Sequence, residues 1–285
     1  MKLQLDCIPC FQRQALKATR LVSEDPILQE KVLRRVIENL IWLKWTDSPP
    51  QIAHVVHGIV KEECGYKDPY VDIKRECNDT IMQRYDEFKT RVEEAKDPFY
   101  TALQLAIAGN IMDYGPDLDI ELDGTISRVA AKGLQIDDRD KLIEALEKAA
   151  NIFYVADNAG EIVFDKLFLE LIREKFNIEK IRFCIKGAPI INDATMTDVV
   201  QIGLDKMDGI EFIKMDVGDP KSGISRDSKE FDDLISSSDV VISKGQGNYE
   251  ALSEKKGLFF LLMAKCPIVA RDLNVEMGSF ILKAV

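Results

Sequence analysis

Five short apolar runs in the second half of the chain, at 152–155, 181–185, 210–215, 240–243 and 258–263, alternate with helical or turn-rich segments. Runs of four to six residues, rich in β-branched and aromatic side chains and without helical periodicity, suit strands buried on both faces. Alternation with helices implies a mostly parallel, doubly wound α/β sheet, because parallel neighbours need a crossover. Residues that directly follow the strands then converge on one edge, the edge at which open α/β sheets bind ligands.

That edge is rich in acids, amides, glycines and lysines. After the first run come Asp157 and Asn158, with Gly160 and Glu161 opening an apolar helix. After the second stand Lys186 and Gly187, followed by Asn192, Asp193, Ala194 and Thr195. Asp216 and Asp219 follow the third, and Lys244-Gly245-Gln246-Gly247-Asn248-Tyr249-Glu250 follows the fourth. Asp157, Asn158 and Asp193 offer three hard oxygens to a divalent cation, leaving positions for water and substrate. Taken singly, Asp157-Asn158 could equally be an Asx turn capping the helix. Lys244 beside Gly245 and Gly247 suits a phosphate, since glycines let backbone N–H groups approach closely. The glycine spacing fits neither G-x-G-x-x-G, because Glu250 takes the third glycine position, nor a Walker A loop, so no nucleotide cofactor is indicated.

Residues 1–148 read as a helical region and 149–285 as the α/β domain. Apolar positions recur every three or four residues over 9–22 and 26–45, Pro49-Pro50 opens a helix that Gly65 ends, and a long charged helix is expected over 70–95. Asp97-Pro98 starts another, which closes on Gly109-Asn110-Ile111-Met112-Asp113, placing Asn110 and Asp113 on one face. That face is expected to look into the crevice. His54 and His57, three apart, lack an acidic or cysteine partner at metal-site spacing. Cys7-Ile8-Pro9-Cys10 could chelate a metal, exchange thiols, close a small disulfide or simply pack, and six cysteines are too few for a disulfide scaffold at 285 residues.

The net charge of −11 is spread almost evenly over the two halves, which leaves no basic face for nucleic acid. No apolar run approaches the length of a membrane span and the start lacks a signal-peptide core, so no membrane partner is expected and the location read from the sequence is cytoplasmic.

Together Asp157-Asn158-Ala159-Gly160-Glu161, Asn192-Asp193-Ala194-Thr195, the 244–250 segment and Gly109-Asn110-x-x-Asp113 resemble the damage-control phosphatase family, the ARMT-like metal-binding domain family once of unknown function. Cys7-x-x-Cys10 resembles its compact microbial branch. The resemblance spans nearly the whole chain and implies a helical region followed by a Rossmann-like α/β/α domain. It also implies hydrolysis of phosphate monoesters of small, often damaged or side-product metabolites with Mn²⁺, Co²⁺, Ni²⁺ or Mg²⁺. Carried onto this chain, Asp157, Asn158 and Asp193 become metal ligands. Asp157, Lys244 and Asn110 become catalytic, with Asn110, Asp113, Glu161, Lys244, Gly245, Gly247 and Asn248 around the substrate phosphate. The expected partner is a small phosphorylated metabolite. The nucleophile is expected to be a metal-bound water, with direct attack by Asp157 as the other route. Two other functions stay open at this point, an adenosylmethionine-dependent carboxyl methyltransferase and a non-catalytic metal or thiol binder centred on Cys7 and Cys10.

Overall fold

The computed structural model describes residues 1–109 and 118–285, with side chains from Leu122 onward in the second part. Three helices lead, α1 (Cys7–Arg20), α2 (Pro26–Leu40) and α3 (Pro49–Cys64). The second and third begin or end where the sequence provides a cap. Asp25 accepts from the Ile27 amide at 2.9 Å ahead of Pro26, Ser48 and Gln51 form a reciprocal capping box ahead of Pro49, and Gly65 closes α3 in the left-handed region. Their inward stripes, among them Phe11, Val32, Val36, Val56 and Val60, make a core of their own.

The charged stretch expected as one helix is two, α4 (Val71–Gln83) and α5 (Tyr85–Glu93). The break at Arg84 contains neither glycine nor proline, so no local signal marks it. After the break, α5 sets Phe88 edge-on against Phe164, with ring centroids 4.9 Å apart. Then follow α6 (Pro98–Ala108), with Asp97 accepting from the Tyr100 amide, and α7 (Leu118–Lys132).

The remainder alternates as expected: β1 (Ile136–Asp137), α8 (Arg139–Lys148), β2 (Asn151–Val155), α9 (Glu161–Lys175), β3 (Lys180–Lys186), α10 (Met196–Gln201), β4 (Ile210–Met215), α11 (Lys229–Ser236), β5 (Val240–Lys244), α12 (Gln246–Leu252), β6 (Leu258–Met263), α13 (Pro267–Leu273) and β7 (Phe280–Ala284). Among the described residues these strands form one sheet in the order β1-β7-β6-β5-β2-β3-β4, parallel except between β6 and β7. All five expected strands form, within one residue of their expected ends. The edge pair β1 and β7 was not foreseen, and it draws residues from before position 148 into the sheet.

Packing therefore does not divide at 148. Cys77, Phe88, Leu103, Leu142 and Leu146 share one core with Ile152, Phe168 and Ile181 on one face of the sheet, while α11, α12 and α13 cover the other with Phe231, Tyr249 and Val269. No helix among the described residues is long and apolar enough to cross a membrane.

The chain leaves β2 to build β3 and β4 on one side, then returns to place β5 and β6 on the other. The strand order thus reverses between β2 and β5, and the crevice expected of a doubly wound sheet opens where Asp157 and Gly245 emerge.

Candidate active site

The β2–α9 turn carries Asp157 and Asn158 against the segment bearing Asp193. Ala194 N–H donates to Asp157 O at 2.8 Å and Ala159 N–H to Asn192 O at 2.9 Å, so a short antiparallel bridge sets Asn158 opposite Asp193. Gly160, at φ 76°, makes the turn into α9 and donates its N–H to Asn78 Oδ1 at 2.6 Å. Asn78 also donates to Asp198 Oδ1 at 3.0 Å, and Lys74 pairs with Asp198 Oδ2 at 2.9 Å. One face of α4 thus braces both site-bearing turns from below.

The three residues expected to hold a metal, Asp157, Asn158 and Asp193, are brought together by this bridge. Asn158 donates its Nδ2 to Asp157 Oδ2 at 2.8 Å and to Glu161 Oε2 at 3.2 Å. An aspartate there could donate to neither, and would add charge to a crowded set of acids. Burial pushes the Asp157 carboxyl up to about 8, with the charges of Glu161 and Asp193 adding to the effect and Lys265 and Lys186 opposing it.

Lys244 lies elsewhere than expected. Its side chain is 0% exposed and points beneath the crevice, where the ammonium donates to Glu161 Oε1 and Ala106 O at 2.8 Å each and to Asp165 Oδ1. Three donors meet three acceptors, which leaves none for a phosphate. Burial alone would drive the ammonium toward its neutral form, yet Asp165 and Glu161 more than offset this and hold it above the usual lysine range. The reason is register. Val155 pairs with both Cys184 and Ser243, so Lys244 is level with Ala156, whereas Lys186 and Gly245 are level with Asp157. Adjacent levels project to opposite faces of a sheet, and Lys244 falls on the α9 face, where Glu161 and Asp165 stand one turn apart.

Other expected substrate contacts shift with it. Glu161 is fully buried as a partner of Lys244 and Asn158. Asn248 donates to Ala156 O at 3.1 Å and to Lys244 O at 2.8 Å, stitching the ends of β2 and β5 together. Gly245, at φ 79°, makes room for Asp157 itself, since a Cβ there would overlap the carboxylate. Gly247 and Asn248 do line the crevice. Asn110 and Asp113 lie outside the described residues.

Above Asp157 and Asp193 is a cavity of about 410 Å³, roofed by α1 and the start of α3. Pro9, Phe11, Pro49, Ile191 and Ile268 give it apolar walls, Lys186, Arg226 and Asp216 add charge, and His54 adds an imidazole. Cys7 and Cys10 face this space as free thiols, as does Cys266 from the other end of the chain. Burial raises the Cys7 and Cys266 thiols, opposite to the activation a nucleophilic cysteine needs. His57 is buried, with its Nε2 3.4 Å from Gln14 Oε1. Sequence reasoning set Lys186 at the edge without giving it a role, and did not single out Arg226. Lys186 ends a strand just as Lys244 does, and only strand register separates them, while Arg226 sits in an aperiodic connection.

A doubly wound α/β protein with buried acids and an amide clustered at the switch point of its sheet is the class that these features define. Residues 3–281 match the damage-control phosphatase ARMT1-like domain, and the chain belongs to that family. A damage-control phosphatase of Pyrococcus horikoshii is 34% identical over 99% of this chain and 97% of its own length. One from Archaeoglobus fulgidus is 33% identical over the full length of both. A crystal structure of a DUF89 family protein from Pyrococcus horikoshii superposes with a TM-score of 0.84 at 31% identity, covering 100% of this chain and 99% of that one.

Proposed function

We propose that this protein is a divalent-metal-dependent phosphatase that hydrolyses phosphate monoesters of small metabolites. The observation that carries the reading is the backbone bridge that sets Asp157 and Asn158 against Asp193 at the floor of a cavity sized for a small molecule. Family membership supports the phosphatase half of the reading.

The donor set fits a hard cation. Asp157 and Asp193 would supply carboxylate oxygens, and Asn158, whose Nδ2 is held by Asp157 and Glu161, would offer its Oδ1 as the amide ligand. Among the described residues no three His, Cys, Asp or Glu side chains converge as ligands, so the asparagine is needed to complete the set. Burial and the charges of Glu161 and Asp193 favour a proton on Asp157 near neutral pH, and a cation in the site would favour the carboxylate form instead. Mn²⁺, Co²⁺, Ni²⁺ and Mg²⁺ all accept such ligands, and any of them would neutralise phosphoryl oxygens and lower the pKa of a bound water.

The chain's own residues do the rest. Lys244 holds Glu161 in place, Glu161 orients the Asn158 amide, and α1 and α3 close the cavity over the phosphate to exclude bulk water, which strengthens every charge interaction within it. The test is phosphate release from a panel of sugar phosphates and from p-nitrophenyl phosphate, after chelation and re-addition of each metal. Activity restored by one or more of the four supports the reading. Release unaffected by chelation, or absent with every metal and ester, would sink it.

A further inference from the structure

With Lys244 saturated beneath the floor, the cavity needs other cations if it is to hold a phosphate. Lys186 ends β3 on the Asp157 level, with its ammonium 3.3 Å from Asp193 Oδ2 and 3.8 Å from Met215 Sδ. Its side chain is 6% exposed. Arg226 reaches in from the segment before α11, and its Nη1 lies 3.4 Å from Asn248 Oδ1. Because Asn248 is tied to the ends of β2 and β5, that contact places the guanidinium at the switch point.

Among the described residues Arg226 is in no ion pair, although it is partly buried in a cavity that also contains carboxylates. Both cations also act on one imidazole. Burial, then Lys186, Arg226 and Lys61, lower His54 to about 4, with Asp216 opposing them. The ring is therefore neutral and adds no charge of its own at neutral pH. Two cations stand on one wall with a single paired acid, Asp193, which leaves positive charge facing the cavity for a further anion.

Building on the phosphatase reading, we propose that Lys186 and Arg226 hold the non-bridging oxygens of the substrate phosphoryl group, between them and the Asp157–Asp193 pair. The arginine fork suits two oxygens of one phosphate, and the lysine ammonium acts as a point charge beside Asp193. The alcohol half of the ester then runs toward the apolar wall of Pro9, Ile191 and Ile268. These two cations take the role that the sequence suggested for Lys244.

The experiment is calorimetric titration of inorganic phosphate into the Mn²⁺-loaded full chain, for wild type, Arg226→Gln, Arg226→Lys and Lys186→Gln, with circular dichroism to confirm folding. Arg226→Gln should weaken phosphate binding about tenfold or more and Arg226→Lys less, because one charge-assisted pair is lost outright or only loosened. Mn²⁺ affinity should stay unchanged in both Arg226 variants. In turnover assays the Michaelis constant for p-nitrophenyl phosphate should rise with little change in kcat. Wild-type phosphate affinity in folded Arg226→Gln and Lys186→Gln would overturn the proposal, as would a wild-type protein that binds no phosphate. Arg226-dependent phosphate binding in a protein that cleaves no ester would uphold this site while refuting the phosphatase reading. Ester cleavage with unaltered phosphate affinity in both variants would do the reverse.

Discussion

Gly245 stands where any side chain would collide with Asp157: a Cβ there would lie 2.8 Å from Asp157 Cβ and overlap its Oδ2. The residue also takes φ 79°, a conformation that L side chains resist. Strand β5 and the Asp157 carboxylate approach this closely because they emerge side by side at the point where strand order reverses.

Gly245→Ala should therefore displace Asp157 and cut phosphatase activity by about a hundredfold or more, the scale on which small misplacements act. Metal affinity should fall with it. Near wild-type activity in this variant would mean that the Asp157 carboxylate can move without consequence, and is therefore not at the reacting centre.

Lys244→Met bears first on stability, and on turnover only through Glu161 and the Asn158 amide that it orients. Removing the ammonium leaves Glu161 and Asp165 as buried carboxylates without their cation, which costs about 3–5 kcal/mol when one partner of a buried pair is deleted. Thermal unfolding should show a large drop in Tm. A stable variant whose only defect is a raised Michaelis constant would place the ammonium in the cavity instead.

The contrast between the two lysines shows what was legible in the sequence and what was not. The convergence of Asp157, Asn158 and Asp193 was legible because each directly follows, or lies close beyond, an apolar run that reads as a buried strand. The five strands were legible for the same reason. Lys186 and Lys244 both end such runs and look alike in one dimension. Which of them faces the cavity depends on register between strands and on Glu161 and Asp165 lying one helical turn apart on α9, neither of which leaves a local mark. Arg226 has no periodic context at all. The break at Arg84 and the β1–β7 edge were missed because tertiary packing, not propensity, sets them.

Acid should weaken the helical layer through His57. Burial foremost, with Lys61 and His54 adding, lowers its imidazole from the model-peptide value of 6.5 to about 3. Between those values the unfolded chain binds a proton that the folded chain refuses, so stability is complete above about 6.5 and declines as pH falls toward 3. The loss is on the order of 3–5 kcal/mol for this group. Urea unfolding of wild type and His57→Phe at pH 7 and pH 4 checks it. The variant should lose markedly less stability on acidification, and equal losses would assign the acid sensitivity to other groups.

The central claim is that Asp157, Asn158 and Asp193 together hold a divalent cation at the reacting phosphate. The most direct measurement is an electron paramagnetic resonance titration of Mn²⁺ into metal-stripped wild type and Asp193→Ala, read beside phosphate release from the same samples. Wild type should bind Mn²⁺ at one site and release phosphate in proportion to occupancy. Asp193→Ala, folded by circular dichroism, should bind it far more weakly and lose activity by orders of magnitude. Unchanged Mn²⁺ affinity in Asp193→Ala, with activity retained, would contradict the account.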